Sequence, residues 1–96
     1  MRLRILSPAQ REIAGALDRL QQYNDASARN FANALDRALN LISDSPAIGS
    51  PLEDGARRLV IQGYRYTVVY RLSESDIVVI AIAHTSREQG YWRGRR

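Results

Sequence analysis

Arg57, Arg58, Arg65, Arg71 and Arg87, together with His84, Tyr91 and Trp92, are the side chains of this 96-residue sequence whose types best suit chemistry. Clustered guanidinium groups can stabilise the extra charge of a pentavalent phosphate during RNA cleavage, while a tyrosine or histidine moves a proton. The same cluster can instead grip acidic side chains of a protein partner. A third reading is that the arginines solvate a sheet face that nothing else covers. All three stay open on residue type alone. The sequence has arginine at 14 positions and no lysine. Guanidinium offers a planar fork for phosphate or carboxylate but cannot serve as a base at neutral pH. A proton acceptor would therefore have to be Tyr91 or His84. A single histidine at the end of a strand is more often structural than catalytic.

Other chemistries are excluded more firmly. Cysteine is absent, which removes disulfides, thiolate nucleophiles and thiolate metal ligands. One histidine leaves carboxylates alone to complete a metal site, so no metal and no cofactor is expected. The phosphate-loop, dinucleotide, nucleophile-elbow and H-E-x-x-H signatures are missing. No apolar run approaches the ~18–20 residues that span a bilayer, and the opening residues lack a signal-peptide core, so the expected location is the cytoplasm. Glu53 and Asp54 sit in a Gly/Pro loop and read as a solvated turn.

Charge is distributed unevenly. Residues 1–56 hold six arginines against seven acids, whereas residues 57–96 hold eight against three. The basic character therefore lies in the last 40 residues, and it suits a polyanionic or acidic partner.

These side chains need elements to hold them. Arg2-Leu3-Arg4-Ile5-Leu6 alternates as a half-buried strand with Leu3 and Ile5 inward. Ser7-Pro8-Ala9-Gln10 reads as a helix start, with Ser7 capping and Gln10 closing a capping box. Ile13, Ala16, Leu17, Leu20 and Tyr23 form the apolar stripe of that helix. Asn24-Asp25 offers a second cap, and Ala28, Phe31, Leu35, Ala38, Leu39 and Ile42 mark a second helix ending near Ser43–Asp44. Residues 46–55 read as a loop. The period then changes from 3.6 to 2. Strands are expected over Arg57–Gln62, Tyr64–Leu72 and Ile77–Ala83, the last covered on both faces. Short links make these antiparallel neighbours. Tyr64, Tyr66 and Tyr70 are explained by core packing plus one exposed ring. His84–Arg96 reads as a short helix or an ordered tail. One α+β domain over residues 1–96 follows, a helical hairpin on a small, mainly antiparallel sheet. Its core would include Leu17, Leu20, Phe31, Leu35, Leu39, Val68, Tyr70, Val79 and Ala81.

The strand–helix–helix–three-strand order, the S-P-A helix start, the run Gly63-Tyr64-Arg65-Tyr66-Thr67-Val68-Val69-Tyr70-Arg71, the segment Ala83-His84-Thr85-Ser86-Arg87 and the pair Tyr91-Trp92 resemble the RelE/ParE superfamily of toxins from type II toxin–antitoxin systems. The resemblance covers essentially the whole chain. It implies one of two activities. RelE-like members are ribosome-dependent mRNA endonucleases, and on that pattern Arg57, Arg58, Arg65, His84, Arg87 and Tyr91 would be catalytic. The basic pair on the preceding strand is lysine in RelE, so Arg57 and Arg58 depart from the pattern. ParE-like members act on DNA gyrase and break no bond themselves. The H-x-x-R ending with its Tyr-Trp pair resembles the ParE branch more, and gyrase is the favoured target. An inactive scaffold that only binds antitoxin is a third class.

The resemblance also implies a cognate ParD- or RelB-like antitoxin whose disordered, acidic segment folds along the toxin, while the toxin alone self-associates weakly or not at all. On this reading Arg57, Arg58, Arg65 and Arg71 meet the antitoxin. Arg87, Tyr91, Trp92, Arg93, Arg95 and Arg96 meet the target, since tryptophan and tyrosine beside arginine are the types that anchor interfaces. A fold-back of Trp92 onto the helical hairpin is the alternative for the indole.

Overall fold

Two apolar periods divide the chain, and each builds one layer of the computed structural model, which describes all 96 residues. The elements are β1 (Arg2–Ile5), α1 (Ser7–Gln21), α2 (Asp25–Asp44), β2 (Ser50–Pro51), β3 (Ala56–Val60), β4 (Tyr66–Leu72) and β5 (Asp76–His84). The strands form one sheet in the order β1-β5-β4-β3-β2. β1 runs parallel to β5, and the remaining pairs are antiparallel. The expected α+β architecture is observed.

Both helices bury their stripes on one sheet face. Ala9, Ala16, Phe31, Ala34, Leu35, Ala38 and Ile42 meet Tyr66, Val68, Tyr70, Ile77, Val79 and Ile82 there, with Leu17, Leu20 and Leu39 half-buried around them. Phe31 packs edge-on against Tyr64 and Tyr66, each ring centroid 5.2 Å away. Asn24 caps α2 as expected, its side-chain oxygen accepting the Ser27 amide at 2.7 Å.

The start of α1 differs from the sequence reading. The Leu6 amide still donates to the Val79 carbonyl in the sheet, while the Leu6 carbonyl already accepts from the Gln10 amide. Leu6 is therefore the cap, Ser7 lies inside the helix, and no side chain caps it. Gln10 donates to the Ile5 carbonyl instead of closing a capping box. The stripe also stops earlier than expected, because α1 ends at Gln21 and Tyr23 is 84% exposed. The exposed tyrosine ring is thus Tyr23, while Tyr64, Tyr66 and Tyr70 are all buried or half-buried.

Loop 46–55 contains the two-residue strand β2 and a 3-10 turn at Glu53–Gly55, neither expected. Tyr70 organises this segment from the core. Its hydroxyl accepts from the Gly49 amide at 2.8 Å and donates to the Pro46 carbonyl at 2.7 Å. A side chain at position 49 would bring its Cβ within 2.6 Å of that hydroxyl, so the close approach requires glycine. β3 and β4 are shorter than predicted, since residues 61–65 form a turn in which Gly63 takes φ 84°, whereas β5 extends one residue further at each end.

The second sheet face is also covered. A bulge shifts the register between Val69 and Tyr70 of β4, pairing them with Ala81 and Val79 and leaving Ile80 as the extra residue. Ile80 and Ala81 then face the same side, away from the helices. Ala81, expected in the hairpin core, lies here with Ala56, Val69, Val78 and Ile80 beneath Trp92. The residues after β5 form successive turns, not a helix, closed by amide bonds from Tyr91 to Glu88, Arg93 to Gly90 and Arg95 to Trp92. Trp92 is 5% exposed, and it packs on the sheet and not on the hairpin.

Candidate functional site

Functional side chains gather where β1 stops and β5 continues. β1 pairs with β5 only as far as Val79, because α1 takes over the chain after Leu6. Beyond that point side chains complete the edge of β5. The Ile82 amide donates to Glu12 Oε1 at 3.0 Å, and Arg95 Nη1 donates to the Ile80 carbonyl at 3.0 Å. The same Arg95 spans Glu12, with 2.8 Å to Oε1 and 3.3 Å to Oε2. The Tyr91 hydroxyl donates to Glu12 Oε2 at 2.6 Å. Arg87 stacks on the Tyr91 ring at 3.8 Å and stands 3.9 Å from Glu12. One carboxylate on α1 therefore holds a strand amide and the tail together.

The electrostatics follow from this geometry. Burial pushes the Glu12 carboxyl up, but the hydrogen bonds from Arg95, Tyr91 and the Ile82 amide outweigh it and hold the group below its ordinary value. Tyr91 moves the other way. Burial, the hydrogen bond to Glu12 and the negative charge of Glu12 push its phenol up to about 12. At neutral pH Tyr91 is a proton donor committed to a carboxylate.

A cleft of about 680 Å³ adjoins this node, lined by Arg11, Glu12, Arg19, Tyr66, His84, Arg87 and Arg95 among others. Arg19 donates to the Tyr66 hydroxyl at 2.6 Å. The His84 ring lies edge-on to Tyr66, and its Nδ1 accepts the Ser86 amide at 3.0 Å. A smaller cleft of about 240 Å³ on the second sheet face is lined by Arg58, Thr67, His84, Arg87, Tyr91 and Trp92.

The arginines named from the sequence are dispersed among different tasks. Arg57 turns toward the loop and donates to the Ala47 and Gly49 carbonyls, at 3.2 and 2.7 Å. Arg71 donates to the Asp54 carbonyl and lies 6.0 Å from the Trp92 ring. Arg93 pairs with Glu53 at 2.8 Å and Asp54 at 3.4 Å, so that acidic loop holds the tail. Arg58, Arg65 and Arg96 are exposed. Arg58, His84, Arg87 and Tyr91 share the smaller cleft, and Arg57 and Arg65 stand outside it. Sequence reasoning missed Glu12, Arg11 and Arg19. The available signal was a polar row along α1, with Glu12, Gly15 and Arg19 at spacings of three and four beside the apolar stripe.

Comparison with known proteins places this arrangement. Among solved structures, the chain is similar to a chain of the chromosomal ParDE TA system from P. aeruginosa, with a TM-score of 0.79 and 16% identity. That match covers 88% of this chain and 95% of the other, and it shows a shared fold. No curated protein sequence matches. The family model described as the ParE toxin of type II toxin-antitoxin system, parDE, matches residues 3–89, which takes in the hairpin, every strand but for Arg2 of β1, and the Glu12, His84 and Arg87 side chains, but stops short of Tyr91 and Trp92. With that span matched, the chain belongs to the ParE toxin family of type II toxin–antitoxin systems.

Proposed function

We propose that this protein arrests bacterial growth by binding DNA gyrase in the cytoplasm, breaks no covalent bond itself, and is neutralised by a cognate ParD-like antitoxin. The observation that carries the choice of target is the state of Tyr91. A ribonuclease of this fold without lysine needs a tyrosine or histidine to accept a proton; the Tyr91 phenol is pushed up to about 12 and already donates to Glu12, and His84 already accepts the Ser86 amide at Nδ1. Arg57 is likewise engaged with loop carbonyls. Family membership supports the toxin role and the antitoxin partner.

The antitoxin surface centres on Arg58 and Arg65, both exposed on the basic half of the chain, with Arg57 and Arg71 bracing the loop beside them. An acidic amphipathic segment complements that charge. The toxin alone remains a monomer or a weak self-associate. Tail residues Arg87, Tyr91, Arg93, Arg95 and Arg96 meet the target, with the buried Trp92 holding them in place.

A second reading rests on one observation: Arg58, His84 and Arg87 line the same small cleft, a geometry that suits a phosphate between two guanidinium groups. Induction of the chain in a bacterial host separates the two. The gyrase reading expects growth arrest, a DNA-damage response and loss of supercoiling by purified gyrase, all relieved by the antitoxin. Rapid mRNA cleavage without DNA damage overturns it in favour of the endonuclease.

A further inference from the structure

The larger cleft between α1 and the end of β5 carries a lopsided charge. Arg11, Arg19, Arg87 and Arg95 line it against the single carboxylate of Glu12. That carboxylate already accepts from Arg95, Tyr91 and the Ile82 amide. Arg19 spends one nitrogen on the Tyr66 hydroxyl, Arg87 reaches Glu12 only at 3.9 Å, and Arg11 makes no ion pair or side-chain hydrogen bond within the chain. Because His84 Nδ1 accepts the Ser86 amide, the proton of the neutral ring is assigned to Nε2, which makes His84 a further donor. Only two of the eleven lining residues are hydrophobic.

We propose that this cleft is a phosphate-binding site, with Arg11, Arg87 and His84 as its donors and Arg19 held in place by Tyr66. Planar guanidinium forks match phosphate oxygens, and a recess bearing three uncompensated positive charges concentrates anions. Acidic peptides depend on apolar anchors for much of their affinity, and this lining offers few. Phosphates need only donors and field. The ligand is the backbone of a nucleic-acid strand or a free polyphosphate, which share this chemistry. Arg57, Arg58 and Arg65 do not line the cleft; His84 and Arg87 belong also to the set implied by the RelE resemblance, whereas Arg11 and Arg19 are new to it. The site stands whether or not gyrase is the target.

The test uses the purified full chain with three probes: a fluorescent oligothymidylate, inorganic triphosphate and a poly-glutamate peptide of matched charge. Arg11→Gln is expected to weaken phosphate binding about tenfold, and to flatten the log–log salt dependence of oligonucleotide binding by about one. Arg11 is exposed and without a side-chain partner, so the substitution does not threaten the fold. Arg37→Gln, on the exposed side of α2, should change neither. Tighter binding of the oligonucleotide than of triphosphate identifies a strand as the ligand, and the reverse order identifies a free polyphosphate. Equal weakening by both variants, no binding of either phosphate probe, or poly-glutamate binding as tightly with the same Arg11 dependence overturns the proposal. Gyrase inhibition by the same samples is read separately, so either idea can fail without the other.

Discussion

The two faces of the sheet are covered by different material. The hairpin face is closed by two amphipathic helices and a continuous apolar contact that includes Phe31, Ile42, Tyr70 and Ile77, all fully buried. The opposite face is closed by turns of the last ten residues, with one indole as the apolar anchor and polar bonds to Glu12, Glu53 and Asp54 around it. Burial of apolar area dominates on the first face, while directional contacts to a few carboxylates dominate on the second. The first cover can leave only if the protein unfolds. The second can detach locally, because a run of turns held by one indole and a few polar bonds opens at less cost than the core.

The largest effect should come from the hairpin face. Phe31→Ala removes a fully buried ring that meets Tyr64 and Tyr66, and is expected to cost about 3–5 kcal/mol, read as a loss of cooperative thermal unfolding. Trp92→Ala removes as large a side chain, yet it should cost less than about 3 kcal/mol because the tail can release without the hairpin. Proteolysis from the C-terminus should accelerate while the helical signal persists. Equal losses from the two substitutions would show that the faces form one cooperative unit and erase the distinction.

Glu12→Gln sharpens the comparison. It keeps the shape but weakens every bond that ties the tail to α1, at about 1–3 kcal/mol. The fluorescence of Trp92, the only tryptophan, reports it directly. Acid should do the same to the native chain. Glu12 is depressed in the fold, so its contribution is complete above its ordinary value of 4.5 and is lost as pH falls through the lower folded value. Tyr91 is raised, so its contribution is complete below its ordinary value of 10.0 and is lost as pH rises through about 12. The tail should therefore be most protected between those limits. Tyr91→Phe should have the smallest effect, about 0.5–1.5 kcal/mol, and should remove the alkaline limb while leaving the acid limb. A pH-independent indole signal would sink the electrostatic account of the second face.

The hairpin face was legible in the sequence because its signals repeat. Period 3.6 over residues 13–42 and period 2 over residues 64–72 each rest on several residues, so a single misread position changes little. The second face rests on singular events. Ile80 is one extra residue in an otherwise uniform apolar strand, and the resulting bulge moves Ala81 to the other side without any change in composition. β2 is two residues long and has no period. Glu12 is important because β1 stops pairing at Val79, while β5 continues to His84, a fact of topology and not of local sequence. Ser7 failed as a cap because the Leu6 amide was claimed by a strand 73 positions away. The arginines were legible as a cluster by type, but which carbonyl or carboxylate each would meet depended on turns that the residue types did not reveal.

The parallel pairing of β1 with β5 joins Arg2 to Asp76 and Ile5 to Val79. During synthesis the first strand leaves the ribosome long before its partner exists, and non-local pairing of this kind closes late. The hairpin can gather as soon as Asp44 has emerged, but the sheet waits for β5, and the bond to Glu12 waits for Arg95. A growing chain therefore holds its helical hairpin well before it can hold the surface around Glu12, and the two covers of the sheet are acquired in a fixed order.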